Sequence, residues 1–137
     1  MQETFNNFIA DLWQAELEND MGFFNKYIHD SADVTLDNTA MNGVVRNITG
    51  KQYKVILAMN SLAEDNTNEE YELLNANYNE ETHIGTINTY YSFSDDLEDM
   101  TIVFESFNTI KCKWEDEIFS IFSIDERVQS IYEKNPT

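Results

Sequence analysis

Residues 100–124, MTIVFESFNTIKCKWEDEIFSIFSI, decide the fold. They contain two runs rich in β-branched and aromatic residues, about 100–111 and 117–124, separated by the polar joint Trp114-Glu115-Asp116. Such runs read as strands, and so short a joint forces antiparallel neighbours, because parallel strands need a long crossover. Upstream the same usage begins at Glu69, predicting strands at about 69–79 and 83–93, joined at Asn79-Glu80-Glu81 and followed by the polar stretch Ser94 to Asp99. The result is a four-stranded meander. In Ile102 to Phe107 and Ile118 to Phe122 large apolar groups fall on both pleat faces, so part of the second face needs a cover, most simply a second copy in a sheet-to-sheet homodimer.

Ahead of the meander the period changes. Phe5, Phe8, Ile9, Leu12, Trp13 and Leu17 follow helical spacing, with Asp11, Glu16 and Glu18 assigned to the other face. Asn19-Asp20 supplies a cap, and Phe23, Phe24, Tyr27 and Ile28 form a second helical stripe ending near His29-Asp30. Val34 and Leu36 alternate with Thr35 and Asp37 as a short strand. Asn38 to Asn42 reads as a turn and Gly43 to Arg46 as a further short strand. Thr49 and Gln52 have the spacing of a capping box, opening a helix over about 51–63 that the polar residues 64–68 close. Asp125 is positioned to cap a last helical turn with Val128, Ile131 and Tyr132 inward. Helices on one side of an antiparallel sheet give a single α+β domain over 1–137.

Composition excludes several classes of function. The 137 residues carry 26 Asp and Glu against 8 Lys and Arg, a net charge of −18, which argues against nucleic acid and against anionic membranes as partners. Nine Phe, seven Tyr and two Trp are too many for a disordered acidic tail. One Cys, Cys112, leaves no internal disulfide, and the two His, His29 and His83, show no metal-ligand spacing, so no metal and no cofactor are expected. The first residues lack the pattern of a signal peptide, and no run suits a membrane span, which together lead to a cytoplasmic expectation.

The element order and local residues resemble the NTF2-like superfamily, which includes nuclear transport factor 2 proteins, SnoaL-like polyketide cyclases and ketosteroid isomerases. Asn19-Asp20-Met21, Phe24 to Ile28 and His29-Asp30-Ser31-Ala32-Asp33-Val34-Thr35 are similar to the run after that family's first helix. Gly50-Lys51 resembles the opening of its third helix. Trp114-Glu115-Asp116-Glu117-Ile118, with Phe122 and Asp125, resembles its terminal hairpin without the usual Gly. The resemblance implies a cone whose curved sheet wraps helices around a pocket. It also places Asp37 where the ketosteroid isomerases keep a catalytic Asp. Their oxyanion-hole Tyr falls at Leu12-Trp13, where no Tyr stands, and their second Asp near Phe104-Glu105.

Candidate chemistry follows. Asp37 is the candidate general base, with the start of a turn as its competing reading. His29, at the expected helix end, is a candidate assistant or a cation on the helix dipole. Trp13, Tyr53, Tyr90, Phe104 and Phe119 are candidates to line an aromatic pocket, or to be plain core, and the Tyr53 and Tyr90 hydroxyls suit a ligand or an oxyanion. Cys112 lies between Lys111 and Lys113, which would depress a thiol pKa, yet no base accompanies it. Asp95 to Asp99 lacks EF-hand spacing and reads as a solvated hairpin tip. Three functions fit: binding of a small, largely apolar molecule without established catalysis, a SnoaL-like isomerase, cyclase or dehydratase using Asp37, and a non-catalytic protein interaction module.

Overall fold

The computed structural model describes residues 1–62, 68–96, 98 and 100–134. Helix α1 (Gln2–Glu18) ends on Asn19, whose φ of 53° is left-handed, a conformation Asn tolerates at a helix end. Asp20 then accepts a hydrogen bond from the Phe23 amide and starts helix α2 (Met21–Tyr27). Strand β1 (Ile28–Asn38), a single turn of helix α3 (Thr39–Asn42) and strand β2 (Val44–Thr49) follow. Helix α4 (Gly50–Leu62) opens on the expected capping box: the Gln52 amide donates to Thr49 Oγ1 at 3.2 Å, and the Thr49 amide to Gln52 Oε1 at 2.9 Å. The meander is β3 (Asn68–Asn79), β4 (Ile84–Asp96), β5 (Thr101–Glu115) and β6 (Ile118–Lys134).

The six strands form one sheet in the order β2-β1-β6-β5-β4-β3. All neighbours are antiparallel except β1 and β6, which run parallel, so the sheet is mixed where an antiparallel one was expected. No tight turn joins these two strands, and residues 39–117 separate them, so no short connection dictates their direction. Register shifts that leave extra residues in β1, β3 and β6 bend the sheet. Helices lie against its concave side. The contact of α4 with β1 is close enough that a Cβ at Gly50 would stand 2.0 Å from the His29 carbonyl oxygen.

The structure corrects two local expectations. His29 stands on β1, not at a helix end, because the strand begins at Ile28; its Nδ1 accepts from the Ser31 amide. Asp125 caps no helical turn, because β6 continues to Lys134 between β1 and β5, and backbone pairing on both sides outweighs a local cap signal. The side chain of Ile131 lies outside the described residues, as do residues 64–67 of the polar cluster, Leu97 and Asp99 of the acidic tip. Asn38 to Asn42 contains the α3 turn, with Gly43 in the left-handed region behind it.

At one end the interior is filled with rings. Phe119 is 2% exposed and meets Phe5, Phe8, Tyr78 and Trp114 at centroid distances of 4.9–5.9 Å. Phe5 leaves so little space that a Cβ at Gly85 would come 2.3 Å from its ring. Cys112 is also sealed there, and burial pushes its thiol up to about 12, against the depression expected from its flanking lysines.

Candidate functional site

Toward the other end the helices and sheet part around a cavity of about 290 Å³. Its apolar wall comes from Leu12 and Trp13 on α1, Leu57 on α4, and Ile87, Ile110 and Ile124 on the sheet. Its polar groups are unusual for such a wall. Glu16 on α1, Glu69 on β3 and Glu126 on β6 all line it, accompanied by Tyr53, Tyr71 and Tyr91.

Helical spacing explains Glu16. It follows Leu12 by four residues and Trp13 by three, which turns it onto the inward stripe, not the solvent face assigned from sequence. Glu126 follows the buried Ile124 by two residues on one pleat face. Seeing it required knowing that β6 continues past Asp125.

Burial, aided by the charges of Glu126 and Glu69, raises the Glu16 carboxyl to about 7. Burial also raises Glu126, while a hydrogen bond from the Tyr53 hydroxyl to its Oε1 opposes the rise. Tyr53 is held well above the ordinary phenol range by burial and by the two glutamates. Tyr71 is raised by burial and then by Glu16 and Glu69. Tyr91 packs against Tyr71 in a tilted pair at 4.6 Å and donates to Glu69 Oε1 at 2.8 Å, while Trp13 meets the Tyr71 ring edge-on at 6.0 Å. No Lys, Arg or His lines the cavity among the described residues. Nor does any group of three or more His, Cys, Asp or Glu among them have the placement to hold a metal ion.

Trp13 and Tyr53 alone of the sequence candidates line this space. Phe119 is core at the filled end. Phe104 stacks on Phe93 at 4.6 Å, outside the cavity lining. Tyr90 packs on Phe107 and donates to Glu105 Oε2 at 2.5 Å, on the opposite pleat face from Thr89 and Tyr91. Asp37 is also outside the lining. Its Oδ1 accepts from the Thr39 hydroxyl at 2.6 Å and amide at 3.0 Å, and Arg127 lies 3.8 Å from Oδ2. The two Thr39 hydrogen bonds, with Arg127 adding to them, hold this carboxyl below its usual range. His29 likewise does not line the cavity.

An α+β cone, with helices inside a bent six-stranded sheet and a hollow at one end, is thus the class this architecture defines. It is the NTF2-like fold, as solved structures bear out. A hexachlorocyclohexane dehydrochlorinase, LinA type 2, superposes with a TM-score of 0.71 at 13% identity, covering 99% of this chain and 93% of that one. An NTF-2-like protein of unknown function from Silicibacter pomeroyi DSS-3 gives 0.60 at 11% identity, over 91% and 98%. A de novo designed protein with a curved β-sheet gives 0.56 at 12% identity, over 93% and 99%. No protein-family model matches the chain, and no curated protein matches its sequence. Among the described residues no helix is long and apolar enough to cross a membrane.

Proposed function

We propose that the cavity receives a small, largely apolar molecule. The observation that carries this reading is the hollow itself: about 290 Å³ bounded by apolar and aromatic side chains, with a few polar groups turned inward. Trp13 in its wall provides a reporter. In a Trp114→Phe background, titration with 2-naphthalenemethanol is expected to change Trp13 emission saturably. Thr89→Phe, which fills the hollow, is expected to remove that response. A response that never saturates, or that survives the filled cavity, would overturn the reading.

A second reading, general acid–base chemistry on the bound molecule, is favoured by Glu16, which exchanges its proton near neutrality inside the hollow. It moves the acid–base role away from Asp37, whose carboxyl is engaged by Thr39 outside that space. For partners, pairing of two copies through the outer sheet face is supported by Leu74, Phe107 and Tyr132, each at least 40% exposed. Sedimentation equilibrium distinguishes one mass from twice that mass, and a monomer at every concentration would end the pairing proposal.

A further inference from the structure

We infer that the molecule taken up by the cavity is an organic cation, a protonated amine on an aromatic or aliphatic body. This rests on the ligand-binding reading above and adds the charge of the ligand to it.

The geometry supplies acids without bases. The titratable groups facing the space are Glu16 from α1, Tyr53 from α4, Glu69 and Tyr71 from β3, Tyr91 from β4 and Glu126 from β6. All are neutral or anionic, and no Lys, Arg or His among the described residues joins them. Glu126 takes the Tyr53 hydroxyl and Glu69 the Tyr91 hydroxyl, whereas Glu16 has no hydrogen bond or ion pair to a described residue. A carboxyl in a largely apolar hollow beside two others gains most as an anion from a nearby positive charge. Around it stand the faces and edges of Trp13, Tyr71 and Tyr91, and aromatic rings attract ammonium groups. These carboxyl groups are not gathered as a metal site, so the complementary charge is one carried on an organic body that also fills the apolar wall. An anion would face three carboxyl groups and, among the described residues, no positive charge, and a neutral molecule would bring no charge to offset an ionised Glu16.

A ligand cation and the proton on Glu16 compete. Glu16 gives up its proton at about 7, so affinity for a cation rises from pH 6 to pH 8, and binding near pH 7 releases a proton.

The test is calorimetric titration of the full chain with 2-phenylethylamine, 2-phenylethanol and phenylacetate, at pH 6 and pH 8 and in buffers of different ionisation enthalpy. The amine is expected to bind about tenfold or more tighter than the alcohol at pH 8, from one compensated carboxylate and cation–π contact. Phenylacetate is expected to bind weakest. Only the amine should tighten with pH and release protons. Glu16→Gln is expected to lower amine affinity at pH 8 toward that of the alcohol and to abolish its rise with pH; Glu126→Gln offers a second way to remove charge should the first variant fold poorly. Equal affinity for amine and alcohol at pH 8 in the parent chain overturns the charge inference while leaving the cavity reading intact. Failure of all three probes, together with no response to 2-naphthalenemethanol, overturns both.

Discussion

The two ends of the cone interior share one sheet and one helix, yet they are built on opposite principles. At the N-terminal end of α1, Phe5 and Phe8 close against Tyr78, Trp114 and Phe119 with no room to spare. Two to three turns later the same helix presents Trp13 and Glu16 to open space faced by Glu126 and Tyr53. The first arrangement gains from dispersion and burial. The second costs stability, because desolvated carboxyl groups without counter-charges are unfavourable and a hollow forfeits contacts. The ring-filled end therefore stabilises the fold and the acidic end carries a burden that folding alone does not require.

Substitutions can break this contrast. The largest effect is expected from Phe119→Ala, which removes the ring on which four others converge: a loss of roughly 3–5 kcal/mol by denaturant unfolding. Glu16→Gln should act in the opposite direction. Glu16 has a folded pKa of about 7 against an unfolded value of 4.5, so between these values the folded chain holds a proton the unfolded chain has lost. Stability accordingly falls as pH rises through that window, and the penalty is complete above about pH 7. Removing the carboxylate is expected to stabilise the chain by roughly 2–3 kcal/mol at pH 8 and to change nothing at pH 4, as read from paired unfolding curves. Gly85→Ala pushes a methyl into the Phe5 ring and should cost roughly 1–3 kcal/mol. Trp13→Ala enlarges an existing hollow and should cost the least, about 1 kcal/mol, against the 3–5 usual for a packed aromatic. A Trp13→Ala loss equal to that of Phe119→Ala would erase the distinction between the ends.

How much of this was legible in the sequence divides along the same line. The meander, the α1 stripe, the Asn19-Asp20 break and the Thr49–Gln52 box are local patterns, and the structure contains each of them, except that Leu17 at the end of the stripe is exposed. The aromatic character of the interior was legible too, since Phe5, Phe8 and Leu12 repeat at helical spacing and are buried. The acids of the cavity were not. The residue type of Glu16 points outward, whereas its spacing from Leu12 and Trp13 turns it inward. Glu126 was hidden by the helical reading at Asp125. Only the long-range pairing of β6 with β1 and with β5, such as Leu36 and Asn108 on either side of Glu126, makes that segment a strand. Asp37 stands out because the family resemblance puts a catalytic Asp at its position, but Thr39 and Arg127, which engage it, depend on the α3 turn and on the distant β6. The aromatic character of Tyr90 and Phe104 suggests the interior, but residue type alone does not say which pleat face a strand turns inward. The cavity is lined instead by Tyr91 and Thr89 on β4 and by Ser106 and Asn108 on β5.

The most direct test of an acid-bearing hollow is the ionisation of Glu16 itself, followed by carboxyl-carbon NMR of glutamate-labelled protein, with Glu16→Gln to assign the signal. A midpoint at about 7, falling when Glu126→Gln removes a neighbouring charge, is the expected result. A midpoint at the ordinary 4.5, unmoved by that substitution, would contradict it by placing Glu16 in water.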